Sequence, residues 1–250
     1  MSSFQLPIAV CCGITIIAEN SHITETKLTA ITEAPKFMNW ISLFAKHGEI
    51  MLREFHVTDV DFFGPPLPNK LGFVKGFGIA FGKDGKKLQS NIAFIRGGAV
   101  AVFIVVKVEE TQKKYGLFCK QPRFPTGKYM TEVCAGMLDD SVADAQVKGV
   151  VFDEIREETG FVVEAKDLMQ LGAPIYPSPG GCDEAITLFA WSTTISQAEF
   201  EEKQTKIYGN AAENENIQLD FCDMDEICPY LDAIGDAKAE ACVRRLTNYK

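Results

Sequence analysis

The chain has 250 residues, of which 46% are hydrophobic and 24% charged, and its formal net charge is −9. This length suits one large domain, or one ordinary domain with a smaller one, and the composition is that of a globular protein. The acidic balance argues against nonspecific nucleic-acid binding, which needs a basic stripe. A phosphate-bearing substrate would need metal ions or local arginines to offset the negative field. Eight cysteines form no CxxC pair, which indicates free thiols in a reducing compartment.

An apolar run near the amino terminus, residues 6–18, reads LPIAVCCGITIIA. It is too short to span a bilayer, and no lysine or arginine precedes it as a signal peptide would require. We therefore interpret it as a buried strand and expect a cytoplasmic protein with no membrane partner. Import into an organelle is the alternative for its location.

The next segments predict a helix followed by a hairpin. The turn-rich FFGPPLPNK of residues 62–70 interrupts a helical pattern that covers residues 36–55. Residues 71–97 have β-rich flanks around Lys83, Asp84 and Gly85, which is typical of a hairpin. The apolar positions of the helical pattern are Phe37, Trp40, Ile41, Phe44 and Ala45.

A continuous apolar run, AVAVFIVVKV, occupies residues 99–108. Its length and composition suit a central strand that is covered on both faces. We place a boundary near Gly97, with a small N-terminal domain at residues 1–96 and a larger α/β domain at residues 97–250.

A helix is predicted over residues 142–159, with Ser141 as N-cap and Gly160 as the residue after the last turn. At about 100° per residue, its apolar residues fall on one stripe. The stripe consists of Val147, Val150, Val151 and Ile155. Lys148, Asp153 and Arg156 point away from it.

Carboxylates crowd the last turns of this helix. Glu154 and Glu158 lie inside the apolar stripe and Glu157 at its edge, although like charges at this spacing and the negative helix end repel them. A lysine or arginine from elsewhere, or a bound divalent ion, is needed to balance them. Three hard oxygen donors suit Mg²⁺ or Mn²⁺, and a solvated acidic face is the alternative.

Beyond the helix, a loop with Pro179, Gly180 and Gly181 leads to Glu184 and a predicted strand at residues 185–191. Glu184 is either a turn acid facing water or a general base at the rim of a site. An acidic stretch follows at residues 211–221, and a closing helix is predicted at residues 237–246.

Residues 135–161, AGMLDDSVADAQVKGVVFDEIREETGF, resemble a Nudix box. The right half of the family pattern matches well, with Phe161 as a bulky variant of the last aliphatic position. The matching residues there are Glu154, Ile155, Glu157, Glu158 and Gly160. The left half is looser, because three extra residues follow Gly136 and the first glutamate of the pattern falls at Ala145, beside Asp144. Asp153 replaces the family's arginine, which puts catalytic efficiency in doubt more than the fold.

Further segments extend the resemblance to roughly residues 35–245. They are VDFFGPPLPNKLGFVKG, IAFIRGGAVAVFIVV, EVCAGMLDD and PSPGGCDEAITLF. Together with the box they are similar to the plant-type ADP-sugar diphosphatase branch of the Nudix hydrolases. The resemblance implies an α/β/α sandwich with a mixed sheet, preceded by a small β-rich domain that usually takes part in a homodimer.

The resemblance also implies residue roles. The carbonyl of Ala135 would hold Mg²⁺ (or Mn²⁺) with Glu154 and Glu158, and Glu157 would join as a ligand or a neighbour of the ligands. Glu184 matches the loop glutamate that activates water; a box glutamate, Glu154 or Glu157, is the alternative proton acceptor.

Two residues outside the box match positions that serve the substrate in the family. Arg123 matches an arginine that helps to bind the substrate's diphosphate, and Glu132 resembles a glutamate near the metals.

The expected reaction is hydrolysis of a nucleoside diphosphate sugar of the ADP-ribose, ADP-glucose or UDP-glucose type. The products would be a nucleoside monophosphate and a sugar 1-phosphate. The alternative is a Nudix-fold module that binds a nucleotide sugar with little or no cleavage, and Asp153 is its best support. Three retained glutamates argue for the enzyme, because a pure binder has no use for such a cluster.

Overall fold

The computed structural model describes residues 6–89, 91–138, 144–164, 166–210 and 215–248. The chain forms two compact units. Unit 1 contains the described residues up to Gly98, together with Leu138 and Tyr176–Ala185. Unit 2 contains Ala99–Met137, residues 144–175 and the described residues from Ile186 onward. The assignment of the N-terminal part as a dimerisation domain stays a prediction.

Unit 1 is a five-stranded sheet with two helices. The order of the strands is β1-β2-β3-β4-β5, in which β2 and β3 are parallel and the other neighbours antiparallel. A single apolar core with Phe37, Phe55 and Ile16 at its centre joins the helices to the sheet. The elements are β1 (Ile8–Cys11), β2 (Ile14–Ala18), α1 (Glu25–Glu33), α2 (Pro35–His47), β3 (Ile50–Phe62), β4 (Leu71–Gly82) and β5 (Ile92–Ile95).

Two local predictions in unit 1 were wrong, each at a left-handed turn. The apolar run 6–18 is a hairpin of β1 and β2 rather than one strand, because Cys12 and Gly13 have φ of 51° and 79°. The helical pattern 36–55 stops at His47, since Gly48 has φ of 62° and ends α2, and β3 follows. The predicted hairpin around residues 83–85 is confirmed by the antiparallel pairing of β4 with β5.

Unit 2 is built on an eight-stranded mixed sheet. Its main path is β10-β11-β6-β7-β13-β12, with β8 paired to β7 and β9 paired to β6. The strands are β6 (Ala99–Val108), β7 (Lys114–Arg123), β8 (Lys128–Glu132), β9 (Cys134–Met137), β10 (Met169–Gln170), β11 (Ile186–Ile195), β12 (Ile207–Tyr208) and β13 (Ile217–Asp223). The helices are α3 (Asp144–Thr159), α4 (Gln197–Thr205), α5 (Ile227–Ile234) and α6 (Ala237–Asn248).

The predicted central strand is β6, which lies between parallel β11 and antiparallel β7. On one face of the sheet, Ala101 and Phe103 belong to a core that includes α5 and α6. Helix α3 packs on β6 and β9, and its buried Val151 and Ile155 lie outside that core. These layers confirm the predicted fold class, an α/β sandwich on a mixed sheet with a β-rich N-terminal part.

The predicted acidic helix is α3. It ends as expected, with Gly160 at φ of 69° and its N–H donating to the carbonyl of Arg156 at 2.9 Å. Glu158 shares the buried stripe, while Asp153 and Arg156 are exposed. The proposed N-cap, Ser141, and the side chain of Val147 lie outside the described residues.

The remaining predictions concern the second half of the chain. The strand after Glu184 and the closing helix are confirmed as β11 and α6. The last five residues of the acidic stretch 211–221 belong to β13, in which residues 218–221 pair with β7. All eight cysteines lie in the described part and are free thiols. Within the described residues, no helix is both long and apolar enough to cross a membrane.

Candidate active site

The centre of the candidate site in unit 2 is the carboxyl group of Glu158, which is 4% exposed. Its Oε2 accepts a hydrogen bond from the backbone N–H of Ala135 at 3.2 Å, and its Oε1 accepts one from Nε2 of Gln121 at 3.4 Å. The thiols of Cys134 and Cys119 lie near this carboxyl group. Burial raises the pKa of Glu158, and these donors oppose the rise. The acid at the end of the predicted stripe is therefore buried and fixed by donors from two strands.

Strand alternation explains which side chains reach Glu158. Cys119, Gln121 and Arg123 are two residues apart on β7 and so lie on one face of the sheet. Gln121 hydrogen-bonds with Glu158, and Cys119 and the charge of Arg123 oppose the rise in the pKa of Glu158. One strand therefore supplies a thiol, an amide and a guanidinium to the same acid.

Gly136 makes room for Glu154. A methyl group on Gly136 would lie 2.5 Å from Cγ of Glu154 and still closer to its carboxyl group. Real side chains do not approach this closely, so only glycine at position 136 allows Glu154 to lie over β9. The opening glycine of the box therefore has a steric function in this chain, despite the irregular spacing that follows it.

The end of α3 is held by a residue of α4 and by the residue that follows β12. The carbonyl of Thr159 accepts a hydrogen bond from Nζ of Lys203 at 3.0 Å, and the carbonyl of Glu157 accepts one from the N–H of Gly209 at 3.0 Å. Lys203 is 6% exposed, its Nζ lies 3.8 Å from the centre of the Phe161 ring, and burial lowers its pKa. A lysine from elsewhere therefore meets the negative end of the helix. The side chain of Glu157 is exposed.

Arg123 and Glu132 belong to a network of four charged residues. Nε of Arg123 donates to Oε2 of Glu132 at 2.6 Å, and Nζ of Lys238 donates to Oε1 of Glu132 at 3.0 Å and to Oδ1 of Asp236 at 2.8 Å. Burial would raise the pKa of Glu132, but Lys238 and Arg123 hold it below its ordinary value. Burial would likewise lower the pKa of Lys238, but Asp236 and Glu132 hold it above. Glu132 and Lys238 therefore each favour the ionised form through the other and through their neighbours in the network.

Sequence reasoning missed Lys238, Asp236 and Gln121. The only local signal was an aspartate before the predicted closing helix, at a position typical of an N-cap. Nothing in the sequence relates Lys238 to Glu132, because 106 positions separate them. Gln121 carried no signal beyond its two-residue spacing from Arg123.

Glu184 belongs to unit 1 and forms an ion pair with Arg96, whose Nη1 lies 3.3 Å from Oε1 of Glu184. The side chain of Glu184 is only 16% exposed, so it is not the solvent-facing turn acid that was one of the two interpretations. The neighbouring Asp183 accepts hydrogen bonds from the backbone N–H groups of Arg96, at 2.8 Å, and Gly97. Burial raises the pKa of Asp183. The loop that carries Glu184 is thus fixed by its neighbours.

The donors present suit a hard divalent cation, because Glu154, Glu157, Glu158 and the Ala135 carbonyl offer only oxygen. Two observations are consistent with a bound divalent cation: Gly136 leaves space for the side chain of Glu154, and the carboxyl group of Glu158 is buried. Within the described residues, however, no set of three or more His, Cys, Asp or Glu side chains is arranged as a metal site. The predicted metal ligands and catalytic residues therefore stay predictions.

Comparison with known proteins gives sequence relatives and a related structure, although no family model matches the chain. Nudix hydrolase 14, chloroplastic, of Arabidopsis thaliana is 29% identical over 218 residues, which cover 82% of this chain and 68% of that protein. GDP-mannose pyrophosphatase of Escherichia coli (strain K12) is 28% identical over 145 residues, which cover 55% of this chain and 66% of that protein. The matches thus span about two thirds of the length of these curated relatives.

A solved structure described as an ADP compounds hydrolase matches 80% of this chain and 94% of its own, with a TM-score of 0.54 and 12% identity. At this identity the likeness shows the fold alone. The sequence relatives indicate that the chain is an enzyme of the hydrolase class. The similarity to Nudix hydrolase 14 supports the Nudix resemblance that the box indicated. Nudix hydrolases in general use divalent metals.

Proposed function

We propose that this enzyme hydrolyses the diphosphate linkage of a nucleoside diphosphate sugar to a nucleoside monophosphate and a sugar 1-phosphate. The observation that carries the proposal is the buried carboxyl group of Glu158, held by Ala135 and Gln121 within the electrostatic influence of Arg123. A buried acid beside an arginine suits a site that handles anionic oxygens. The names of the relatives, which refer to GDP-mannose and to ADP compounds, support this class of substrate.

We assign the metal ligands as the carboxylates of Glu154, Glu157 and Glu158 and the backbone carbonyl of Ala135. Mg²⁺ is the ion that this oxygen set suits best, and Mn²⁺ is the alternative. When bound, the ion would offset the charge of the diphosphate and lower the pKa of a water molecule. For a protein with a net charge of −9, this offset favours the binding of a diphosphate, as a local arginine would.

Arg123 would bind the diphosphate, since a guanidinium donates two parallel hydrogen bonds to phosphate oxygens. Glu132 has both carboxyl oxygens occupied by Arg123 and Lys238, which fits a role in holding the arginine. Glu184 would accept the proton of the attacking water. Its ion pair with Arg96 holds the carboxyl group in place.

We also propose a homodimer that forms in part through residues 1–96. Support comes from β1, an edge strand of unit 1 whose Ile8 and Val10 are 59% and 70% exposed. A monomeric mass in light scattering at micromolar concentration would contradict this assembly. The proposed location is the cytoplasm; the name of the Arabidopsis relative, which includes "chloroplastic", keeps an organelle as the alternative.

The test is an assay of the purified protein with ADP-ribose, ADP-glucose, UDP-glucose and GDP-mannose, each with Mg²⁺, with Mn²⁺ and with EDTA. With a divalent ion and not with EDTA, we expect a nucleoside monophosphate and a sugar phosphate to appear in equal amounts. The sugar phosphate is ribose 5-phosphate from ADP-ribose and a sugar 1-phosphate from the other three substrates. Glu158→Gln is the matched control, because it keeps the shape of the side chain. Tight binding of a nucleotide sugar without products would instead establish the binding module.

A further inference from the structure

We infer that Lys238 and Asp236, at the start of α6, are positioning residues that hold Arg123 in the orientation needed to bind a diphosphate. This inference rests on the proposed function, since the diphosphate is the ligand assigned to Arg123. Its physical basis is the chain of hydrogen bonds from Asp236 through Lys238 and Glu132 to Arg123. The side chains of its two middle members, Lys238 and Glu132, are only 17% and 12% exposed.

Glu132 acts as a bridge in this chain. One of its carboxyl oxygens accepts from Arg123 and the other from Lys238. Because the two cations bind different oxygens, the carboxylate plane is fixed from both ends. Arg123 therefore meets an acceptor that cannot rotate.

The bond to Glu132 uses Nε of Arg123. A guanidinium has five N–H donors, of which Nε carries one. The two terminal nitrogens keep their donors for two phosphate oxygens, and the 39% exposure of the side chain leaves room for an anion. Fixing Nε sets the plane of the guanidinium and hence the direction of the remaining donors.

Asp236 anchors the other end of the chain. It is 4% exposed, its Oδ2 accepts from the N–H of Val133 at 3.0 Å, and its Oδ1 accepts from the N–H of Lys238 at 3.1 Å as well as from Nζ of Lys238. Val133 follows Glu132 directly and comes two residues before Ala135. The start of α6 therefore fixes both the lysine and the backbone beside Glu132.

The charges alternate along the chain as negative Asp236, positive Lys238, negative Glu132 and positive Arg123, so the network as a whole is neutral. Loss of the lysine ammonium would leave Glu132 with Arg123 as its one remaining cation in this network. The carboxylate would then be free to turn and draw the terminal nitrogens of Arg123 toward itself. Those are the donors that the diphosphate needs.

The experiment compares Lys238→Met with Lys238→Arg and with Arg245→Met in the full-length protein. Arg245 is the matched control, because it also anchors α6, by donating to the carbonyl of Leu171 at 2.6 Å and to that of Ala173, without touching Glu132. The probe is inorganic pyrophosphate with Mg²⁺, titrated by calorimetry. Thermal unfolding of each variant is measured alongside.

We expect Lys238→Met to weaken pyrophosphate binding about tenfold to a hundredfold, the scale on which misplaced groups lose function. Lys238→Arg should restore most of the loss, since it keeps a cation at Glu132. Arg245→Met should lower the melting temperature and leave the dissociation constant unchanged. Equal effects of Lys238→Met and Arg245→Met on binding would overturn the inference, because α6 would then matter only as a support.

A double variant separates positioning from direct contact. If Lys238 acts through Glu132, then Glu132→Gln with Lys238→Met should weaken binding no more than the stronger single change. Additive losses would mean that Lys238 touches the diphosphate itself and would overturn the positioning role. The NMR signal of the Arg123 Nε–H gives a direct readout: it should exchange slowly with water in the wild type and in Arg245→Met, and quickly in Lys238→Met.

The binding titration does not depend on turnover, so the two proposals fail separately. Wild-type protein that binds pyrophosphate, with the expected loss in Lys238→Met, but cleaves no nucleotide sugar would contradict only the proposed function. Wild-type protein that cleaves a nucleotide sugar, with unchanged pyrophosphate binding in Lys238→Met, would contradict only the role of Lys238.

Discussion

Replacing Gly136 with alanine should impair the metal site while sparing the fold. The added methyl group would lie 2.5 Å from Cγ of Glu154 and closer to its carboxyl group, so the Glu154 side chain has to leave its place over β9. Glu154 is a flexible side chain and can turn away at a rotamer cost of about 0.5–1.5 kcal/mol. The backbone of Gly136 is not in the left-handed region, so alanine fits there and restricts the unfolded chain, a gain of about 0.4–1 kcal/mol.

These two contributions nearly cancel, and the melting temperature should change by no more than about 4 °C in a chain of this size. The metal site, in contrast, loses the position of one of its three proposed carboxylates. Disturbing a metal site in this way typically costs about tenfold to a hundredfold in metal affinity or activity. We therefore expect the Mg²⁺ concentration for half-maximal rate to rise by about that factor.

The assay is the rate of nucleotide-sugar hydrolysis against Mg²⁺ concentration, with thermal unfolding measured on the same samples. Gly149→Ala is the matched control, since Gly149 lies inside α3 and a methyl group there meets nothing within 4 Å. It should raise stability by up to about 1 kcal/mol through helix propensity and leave the metal requirement unchanged. An unchanged Mg²⁺ requirement in Gly136→Ala would refute the idea that Glu154 acts from the place that Gly136 provides.

Three further predictions concern the same helix. Glu157→Gln and Glu158→Gln should each lower turnover at least about a hundredfold. In Glu157→Gln the melting temperature should hold or rise, because this side chain is exposed and like-charge repulsion is relieved. Normal hydrolysis in both variants would contradict the metal assignment. Asp153→Arg should lower the metal concentration for half-maximal rate by no more than about threefold, because an exposed ion pair with Glu157, one turn further on, is worth about 0.2–0.5 kcal/mol. If this metal concentration is unchanged or higher in the variant, a cation on another strand already supplies the charge. Lys203→Met should lower the free energy of unfolding by about 1–3 kcal/mol, because it leaves the buried carbonyl of Thr159 at the end of α3 without its donor. Lys206→Met, at the exposed residue that follows α4, should change the free energy of unfolding by less than about 0.5 kcal/mol. Equal losses in the two lysine variants would show that the hydrogen bond from Lys203 does not stabilise α3.

The sequence by itself determined the elements whose pattern is local. The alternation of burial along α3 follows from the helical period, so Val151, Ile155 and Glu158 could be assigned to one buried stripe in advance. The apolar run of β6 likewise needed only its length and composition to be recognised as a central strand.

The periodic pattern of apolar residues could not predict the left-handed turns. Cys12 and Gly48 each reverse the chain within a run that continues its apolar spacing. A residue such as Cys12 gives no sign in the sequence that it will adopt φ of 51°, because the pairing of β1 with β2 imposes that conformation. The hairpin there and the early end of α2 therefore emerged only with the folded structure.

Tertiary structure alone decided the partners of the acidic residues. Helical spacing predicted that Glu154 and Glu158 face inward, but the steric fit of Glu154 against Gly136 depends on how α3 packs on β9. The neutralisation of Glu132 by Lys238 depends on the return of the chain to β8 after 106 residues. Charge interactions act over a few ångströms in space whatever the separation in sequence, so the sequence determined which acids need a partner and only the fold determined which cations reach them.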